Sequence, residues 1–153
     1  MKKRYIIYWK NKINNNEGKL RTYKTFKNNF IFEPYLNQVN NSNDRKSLTR
    51  LRTSAHNLEI ERGRYLNIPA EERTCKLCNK DIGTEVHFLL ECEKLSTIRN
   101  KHLKDILNTN PNLNTLNKSN LFIYLVSSEH SLINQIAKLT NQLDTERNRI
   151  LNN

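Results

Sequence analysis

The sequence predicts a mainly α fold, a small helical domain built around a knuckle of three cysteines and one histidine. Three observations predict it. All three cysteines lie within the stretch from Cys75 to Cys92. Apolar residues elsewhere recur at the three-to-four-residue spacing typical of helices. Only 36% of the residues are hydrophobic, so the apolar core is modest and an additional link between segments would contribute strongly to stability.

The cysteines and one histidine follow the pattern Cys-x2-Cys-x8-His-x4-Cys, formed by Cys75, Cys78, His87 and Cys92. Two thiolates two residues apart bind one ion from a tight turn, and the excursion that contains Gly83 is long enough to bring the second pair back. Zn2+ accepts sulfur and nitrogen ligands in a tetrahedron, and four protein ligands leave no open position. The predicted cofactor is therefore Zn2+ in a structural site. The alternative is three buried free thiols and a hydrogen-bonded histidine.

The charge of the chain is strongly positive. It has 26 Lys and Arg residues against 15 Asp and Glu residues, a formal net charge of +11. Residues 1–74 contain 16 basic and 7 acidic residues, a net of +9, and residues 75–153 contain 10 and 8, a net of +2. Such a balance favours a polyanionic partner, most often nucleic acid. A solvated basic surface without a partner is the alternative.

Residues 1–43 are predicted to form a basic and aromatic N-terminal helical extension. Residues 1–10 are interpreted as a short strand or as the end of a helix. Apolar residues at helical spacing predict a helix at about 19–28. Pro34 suits the first turn of a second short helical segment, and residues 37–43 are predicted to be a loop.

Residues 44–108 are predicted to contain Arg-rich helices followed by the zinc-binding knuckle. Ser42 or Asn43 caps a helix that runs through Ala55, and a second short helix is closed by Gly63. The basic side chains of this region are the candidate nucleic-acid contacts. They are Arg45, Lys46, Arg50, Arg52, Arg62 and Arg64. Phosphate contacts from such a surface hold nucleic acid without reading its sequence. The alternative is that these side chains solvate the helices and pair with neighbouring glutamates.

The helices after the knuckle complete the predicted fold. Residues 93–107 carry apolar side chains on one broad face and predict an amphipathic helix. Residues 109–153 are predicted to be a C-terminal helical tail. Within it, the apolar run 121–126 predicts a buried helical turn, and the last helix is predicted to begin at Ser128 or Glu129.

The sequence lacks the usual signals of catalysis. It has only three glycines, no glycine-rich phosphate loop and no Gly-x-Ser-x-Gly motif, so no catalytic residue is predicted. Glu59 and Glu61 are interpreted as surface carboxylates beside arginines, and His56 as a capping or packing residue. A stand-alone nuclease would need a carboxylate cluster or an open metal position. Cysteines in a metal pattern favour a reducing, intracellular compartment, nuclear or cytoplasmic, and we expect no signal peptide and no membrane partner.

Three runs carry a family resemblance. LTRLRTSAHNLEIERGRY, IPAEERTCKLC and EVHFLLEC resemble the C-terminal zinc-binding region of reverse transcriptases from non-LTR retrotransposons. In that family an Arg-rich helical segment precedes a Cys-x2-Cys…His-x4-Cys domain. The upstream run KLRTYKTFKNNFIFEPYL and the downstream run FIYLVSSEHSLINQIAKL extend the resemblance from about Leu20 to Leu139.

The resemblance implies a function that the residues alone do not specify. It implies that Cys75, Cys78, His87 and Cys92 are the metal ligands. The polymerase core and its paired aspartates lie upstream of this region in the family, and this chain contains neither. We therefore expect a non-catalytic module that binds RNA or DNA near a polymerase or endonuclease domain. The alternative is a zinc-dependent protein–protein interaction module.

Overall fold

The computed structural model describes residues 2–15, 19–127 and 131–153. Within these ranges regular structure is helical, and the only β pairing is one antiparallel bridge between Thr74 and Ile82. The predicted mainly α fold is confirmed. No helix of the described ranges has both the length and the apolar character needed to cross a lipid bilayer.

The helices are numbered in chain order over the described residues. They are α1 (Lys2–Asn14), α2 (Tyr23–Phe26), α3 (Tyr35–Gln38), α4 (Ser42–Arg52), α5 (Glu59–Tyr65), α6 (Ser96–Thr109), α7 (Lys118–Val126) and α8 (Ile133–Leu151). Shorter helical turns join them, at Ala70–Glu72, Glu93–Leu95 and Pro111–Thr115 in 3₁₀ form and at His87–Glu91 in π form.

Helix α8 is the central element of the core. Its buried side chains recur every three or four residues, so one face of the helix is apolar along most of its length. Helices α4, α6 and α7 and the π turn all pack on it, α4 most extensively. Leu48 and Leu51 of α4 and Ile136 and Leu143 of α8 are all buried in this core. Each such side chain stabilises the fold by about 1.5–3 kcal/mol through removal from water.

Arg52 ends α4 inside the protein rather than on its surface. Only 1% of the residue is exposed. Its guanidinium donates to the carbonyl oxygen of Val126 and to a carboxylate oxygen of Glu33 at 2.5 Å, and it lies 4.4 Å from the ring centroids of Phe26 and Tyr35. Arg52 was expected among the nucleic-acid contacts. That expectation is corrected, because the side chain instead joins α2, α3 and α4 to the end of α7.

Several predicted boundaries differ from the structure. Residues 2–10 belong to a helix, not a strand. The helix expected at about 19–28 covers only Tyr23–Phe26, because Leu20 has a φ of 63°, outside the right-handed helical region. Asn41, not Ser42 or Asn43, caps α4, and its side chain accepts hydrogen bonds from two backbone N–H groups of the first turn.

Gly63 lies inside α5 and does not end it. The reason is space rather than backbone conformation. A Cβ atom at this position would lie 2.5 Å from Cγ of Arg73, so only glycine lets that side chain cross the helix. The start predicted for the last helix, at Ser128 or Glu129, lies outside the described residues.

We expect Arg52→Ala to lower the free energy of unfolding by about 1–3 kcal/mol, since it leaves the buried carbonyl of Val126 without its donor. Glu33, by contrast, keeps its ion pair with Lys27. Urea denaturation followed by circular dichroism would measure the change. The matched control is Arg50→Ala, two residues earlier on α4 and exposed, for which we expect a change within about 0.5 kcal/mol. Equal effects of the two substitutions would contradict the structural role assigned to Arg52.

Candidate metal centre

Cys75, Cys78, His87 and Cys92 form one cluster. Their four donor atoms all lie within 4.8 Å of one another. The Sγ atoms of Cys75 and Cys92 are 3.9 Å apart, and Sγ of Cys78 is 3.4 Å from Nε2 of His87. Metal–sulfur bonds of about 2.3 Å and metal–nitrogen bonds of about 2.0 Å in a tetrahedron correspond to separations of about 3.8 and 3.6 Å. The cluster therefore fits one tetrahedral metal ion.

The first two ligands are held by a hairpin-like knuckle. The backbone N–H of Cys75 donates to the carbonyl of Asp81, and the N–H of Asn79 donates to the carbonyl of Cys75, both at 2.8 Å. Asn79 has a φ of 55°, the left-handed conformation that asparagine tolerates better than most residues. This turn directly after Cys78 brings both thiols to the same side of the loop.

The other two ligands require the π turn. Five positions separate His87 from Cys92, which in an α-helix of 3.6 residues per turn would point the two side chains in different directions. Here the backbone N–H of Cys92 donates to the carbonyl of His87 at 2.8 Å, the i→i+5 bond of a π-helix. This wider turn brings the imidazole and the last thiol to the same ion.

The surroundings of the three thiols differ. Burial raises the pKa of Cys92 to about 12 and also raises the pKa of Cys75. Burial acts in the same direction on Cys78, but hydrogen bonds from the backbone N–H groups of Lys80 and Asp81 outweigh it and lower the pKa of this thiol. Because a metal ligand must be a thiolate, ion binding at this cluster would release protons.

The ring nitrogen of His87 that points away from the cluster, Nδ1, lies near two carboxylates. Nδ1 is buried and has no hydrogen-bond partner among the described residues. Carboxylate oxygens of Asp81 and Glu91 each lie 3.8 Å from it. Nε2, which lies 3.4 Å from Sγ of Cys78, faces the cluster, and the placement of carboxylates beside the other ring nitrogen resembles the carboxylate–histidine–metal arrangement.

Arg99 is a site residue that sequence reasoning missed. It is buried on α6, and it donates to the carbonyl of Leu89 at 3.0 Å and to the carbonyl of Cys92 at 2.6 Å. Leu89 lies in the π turn and Cys92 directly follows it, and the Cys92 carbonyl also accepts from the backbone N–H of Leu95 at 3.1 Å. Arg99 makes no ion pair with a carboxylate among the described residues. Three thiolates with one divalent ion would carry a net charge of −1, which the guanidinium of Arg99 would balance.

A buried ion pair between α5 and α8 supports the loop that carries Cys75 and Cys78. Glu59 of α5 accepts a hydrogen bond from Arg147 of α8 at 2.6 Å, and both residues are buried. Gly83 has no room for a side chain, since a Cβ atom would meet the carboxylate of Glu59 and lie 3.3 Å from Cα of Cys75. The knuckle is thus pressed against α5, and through Arg147 it is tied to the central helix.

A second buried network lies beside it. Arg21 donates to the carboxylates of Glu61 and Glu85, each at 2.5 Å. Nε2 of His56 lies 3.0 Å from Glu85, while its Nδ1 accepts from the N–H of Leu58 at 3.4 Å. His56 was predicted to be a capping or packing residue; its side chain is largely buried against Glu85, and it does not cap α5. Glu61, like Glu59, is buried, so their interpretation as surface carboxylates is wrong: arginine partners replace water around them.

The remaining predicted nucleic-acid contacts are placed unequally. Lys46, Arg50 and Arg62 are exposed. Arg45 is half-buried and donates to the carbonyl oxygen of Val39 at 2.6 Å. Arg64 is half-buried and pairs with Glu61 at 3.2 Å. The structure therefore leaves Lys46, Arg50 and Arg62 as the candidates whose charge faces solvent.

Comparisons with known proteins add no neighbour. No protein-family model, no curated protein and no solved structure matches this chain. The resemblance to the zinc-binding region of non-LTR retrotransposon reverse transcriptases stays a prediction from sequence.

We expect the purified chain to hold one metal ion and to lose helix when a chelator removes it, because the ion would join the Cys75–Cys78 segment to the π turn that packs on α8. Elemental analysis and far-ultraviolet circular dichroism would measure both. Cys92→Ser should abolish stoichiometric binding, whereas the exposed neighbour Thr74→Ser should not. A metal-free chain with an unchanged spectrum after chelation would contradict the site.

We expect Arg99→Met to weaken metal binding by about 10–100-fold, the range found for residues that support metal ligands indirectly. Methionine keeps much of the apolar stem but removes the donors to the π-turn carbonyls. Competition against a colorimetric chelator would measure the affinity. Lys101→Met, on an exposed position of the same helix, is the control and should leave affinity unchanged. Unchanged affinity in the Arg99 variant would show that its hydrogen bonds do not hold the ligands.

Proposed function

We propose that this protein is a zinc-stabilised nucleic-acid-binding module without catalysis of its own. It would bind RNA or DNA through its basic helices. Zn2+ is the ion proposed for the cluster because it accepts three thiolates and one imidazole in a closed tetrahedral site. The proposal agrees with the sequence resemblance to the C-terminal part of a retrotransposon reverse transcriptase, in which the module would hold nucleic acid near a polymerase or endonuclease domain.

The distribution of charge is the observation that carries the proposal. The buried charged side chains of the described residues are three arginines and three glutamates, so the described interior is neutral. They are Arg52, Arg99, Arg147, Glu59, Glu61 and Glu85. Among the described residues, the excess of positive charge therefore lies on side chains that are at least partly accessible. Accessible charge of one sign attracts a polyanion over distances of about 10 Å at moderate salt.

Helix α4 gives part of that charge a defined position. Lys46 and Arg50 are four residues apart, so they share one face of the helix, and both are exposed. The opposite face carries Leu48 and Leu51 into the core against α8. A rigid helix that presents cations in a row suits contacts with successive phosphates, which position nucleic acid without reading its bases.

The metal would contribute by fixing where these helices lie. The knuckle presses on α5 at Gly83, and the Glu59–Arg147 pair ties α5 to α8, which in turn packs against α4. A tetrahedral ion at the cluster locks the knuckle and the π turn into one unit. Loss of the ion would free α5 and its exposed Arg62 from a single orientation.

A protein–protein interaction module is the alternative, and salt dependence distinguishes the two. Nucleic-acid binding releases counterions, so the logarithm of affinity falls linearly with the logarithm of salt concentration, with a slope of about −0.9 per phosphate contact on a duplex. A protein partner recognised through apolar surface would show a much smaller slope.

We expect the zinc-loaded chain to bind a labelled duplex in fluorescence anisotropy, and we expect Lys46→Glu with Arg50→Glu to weaken this binding more than tenfold and to reduce the salt slope by about 2. The control is Lys101→Glu with Lys104→Glu on α6, which makes the same change in net charge at two other exposed positions.

Equal losses in both double variants would show that overall charge, not α4, determines binding. No binding of the wild-type chain to duplex or single-stranded nucleic acid at low salt would refute the proposed function.

A further inference from the structure

Helix α1 exposes an aromatic face. Tyr5 and Tyr8 are three residues apart, and 60% and 57% of their areas are exposed. The helix contacts the rest of the protein through Ile13, which is buried. Large aromatic side chains usually bury their area on folding. Two exposed rings side by side on one helix therefore indicate a surface that binds another molecule.

Phe30 holds this face in place. Its ring centroid lies 5.5 Å from that of Tyr5 and 5.4 Å from that of Trp9. Tyr5 and Tyr8 are themselves 6.3 Å apart, centroid to centroid. These are the separations of mutually packed rings. The aromatic face, defined as Tyr5, Tyr8, Trp9 and Phe30, is therefore a pre-formed platform rather than a set of independent side chains.

Positive charge surrounds the aromatic face. Residues 2–15 contain five lysines and arginines and no acidic residue. Lys12 lies over the ring of Tyr8 with its Nζ 5.6 Å from the centroid. Lys3 and Arg4 lie in the first turn of α1, where the helix dipole disfavours cations. Their position therefore does not help the helix form.

A basic cleft adjoins the aromatic face between α1 and α2. It measures about 250 Å³ and is lined by Trp9, Lys10, Ile13, Lys24, Lys27 and two asparagines, with no carboxylate in its lining. Lys27 pairs with Glu33, whereas Lys10 and Lys24 form no ion pair within the described residues. One aromatic wall and two available ammonium groups suit a phosphate with a base beside it.

We propose that the aromatic face and its cleft bind single-stranded nucleic acid, with unpaired bases stacked on Tyr5 and Tyr8 and the backbone phosphates held by Lys10, Lys12 and Lys24. This rests on the proposed function and specifies the form of its ligand. Stacking on aromatic rings combined with a cationic groove is the general mode of single-strand recognition. In a duplex the faces of the bases are already covered, so only the charges would act.

The test uses the zinc-loaded full chain and labelled single strands of about 15 nucleotides, oligouridine and oligothymidine, beside a duplex of the same length. Trp9 is the only tryptophan, so its emission reports this site alone. We expect single strands to quench Trp9. Tyr5→Leu with Tyr8→Leu, which keeps apolar side chains that favour helix, should weaken single-strand binding at least about tenfold and duplex binding less than about twofold.

Ile7→Ala is the matched control. Ile7 is 60% exposed on the same helix but carries no ring, so its loss should leave single-strand affinity unchanged. A comparable loss in this variant would mean that apolar area rather than stacking matters and would overturn the proposal. Analytical ultracentrifugation of the wild type and the tyrosine variant tests whether this face binds a second copy of the chain. A wild-type dimer that is absent in the variant, together with unchanged oligonucleotide binding, would show that it does. That result would also overturn the proposal.

The remaining outcomes separate this proposal from the proposed function. If the tyrosine variant binds single strands like the wild type while the α4 double variant is weakened, the aromatic face is not the site but the module still binds nucleic acid. If the wild type binds no nucleic acid at all, both fail. A higher affinity for oligouridine than for oligothymidine would identify RNA as the preferred strand, and the reverse order would identify DNA; either supports the proposal.

Discussion

Four donor atoms from two chain segments must meet at one point, and the structure around Cys75 and Cys92 follows from that constraint. The x4 spacing between His87 and Cys92 does not suit an α-helix, so the backbone adopts a π turn there. Arg99 of α6 donates to the carbonyl of Leu89, within the π turn, and to that of Cys92, directly after it. The packing of α6 is thus part of the site, although none of its side chains belongs to the cluster.

Arginine has two separate roles in this protein. Inside, Arg52, Arg99 and Arg147 join distant segments by donating to carbonyls and carboxylates from a planar group with several fixed donors. Outside, lysines and arginines at helix surfaces carry the net charge. The division explains how a chain with only 36% hydrophobic residues forms a core: polar connections between helices supplement a limited apolar interior. It also means that a count of basic residues overestimates the surface available to a polyanion.

Much of the cluster and of the helix content could be predicted because both are local patterns. The ligand spacing lies within one short stretch, and the faces of α6 and α8 repeat within a few residues. The location of Arg52 could not be predicted, since its cage comes from Phe26, Glu33 and Val126, which sequence spacing does not relate. The prediction that Gly63 ends a helix was wrong for the same reason. Glycine often marks a helix end, but here it makes room for the side chain of Arg73, ten positions later.

All four metal ligands precede α8 in the chain, so they are synthesised before it. The last ligand, Cys92, precedes the start of α8 at Ile133 by 41 positions. Asn141 and Arg147 of α8 are partners of Asp44 in α4 and Glu59 in α5. At about 5–20 residues per second, the knuckle is complete for several seconds before the ribosome delivers the helix that closes the core. A metal ion captured in that interval would organise the nascent chain first, and α8 would then dock onto a surface already formed.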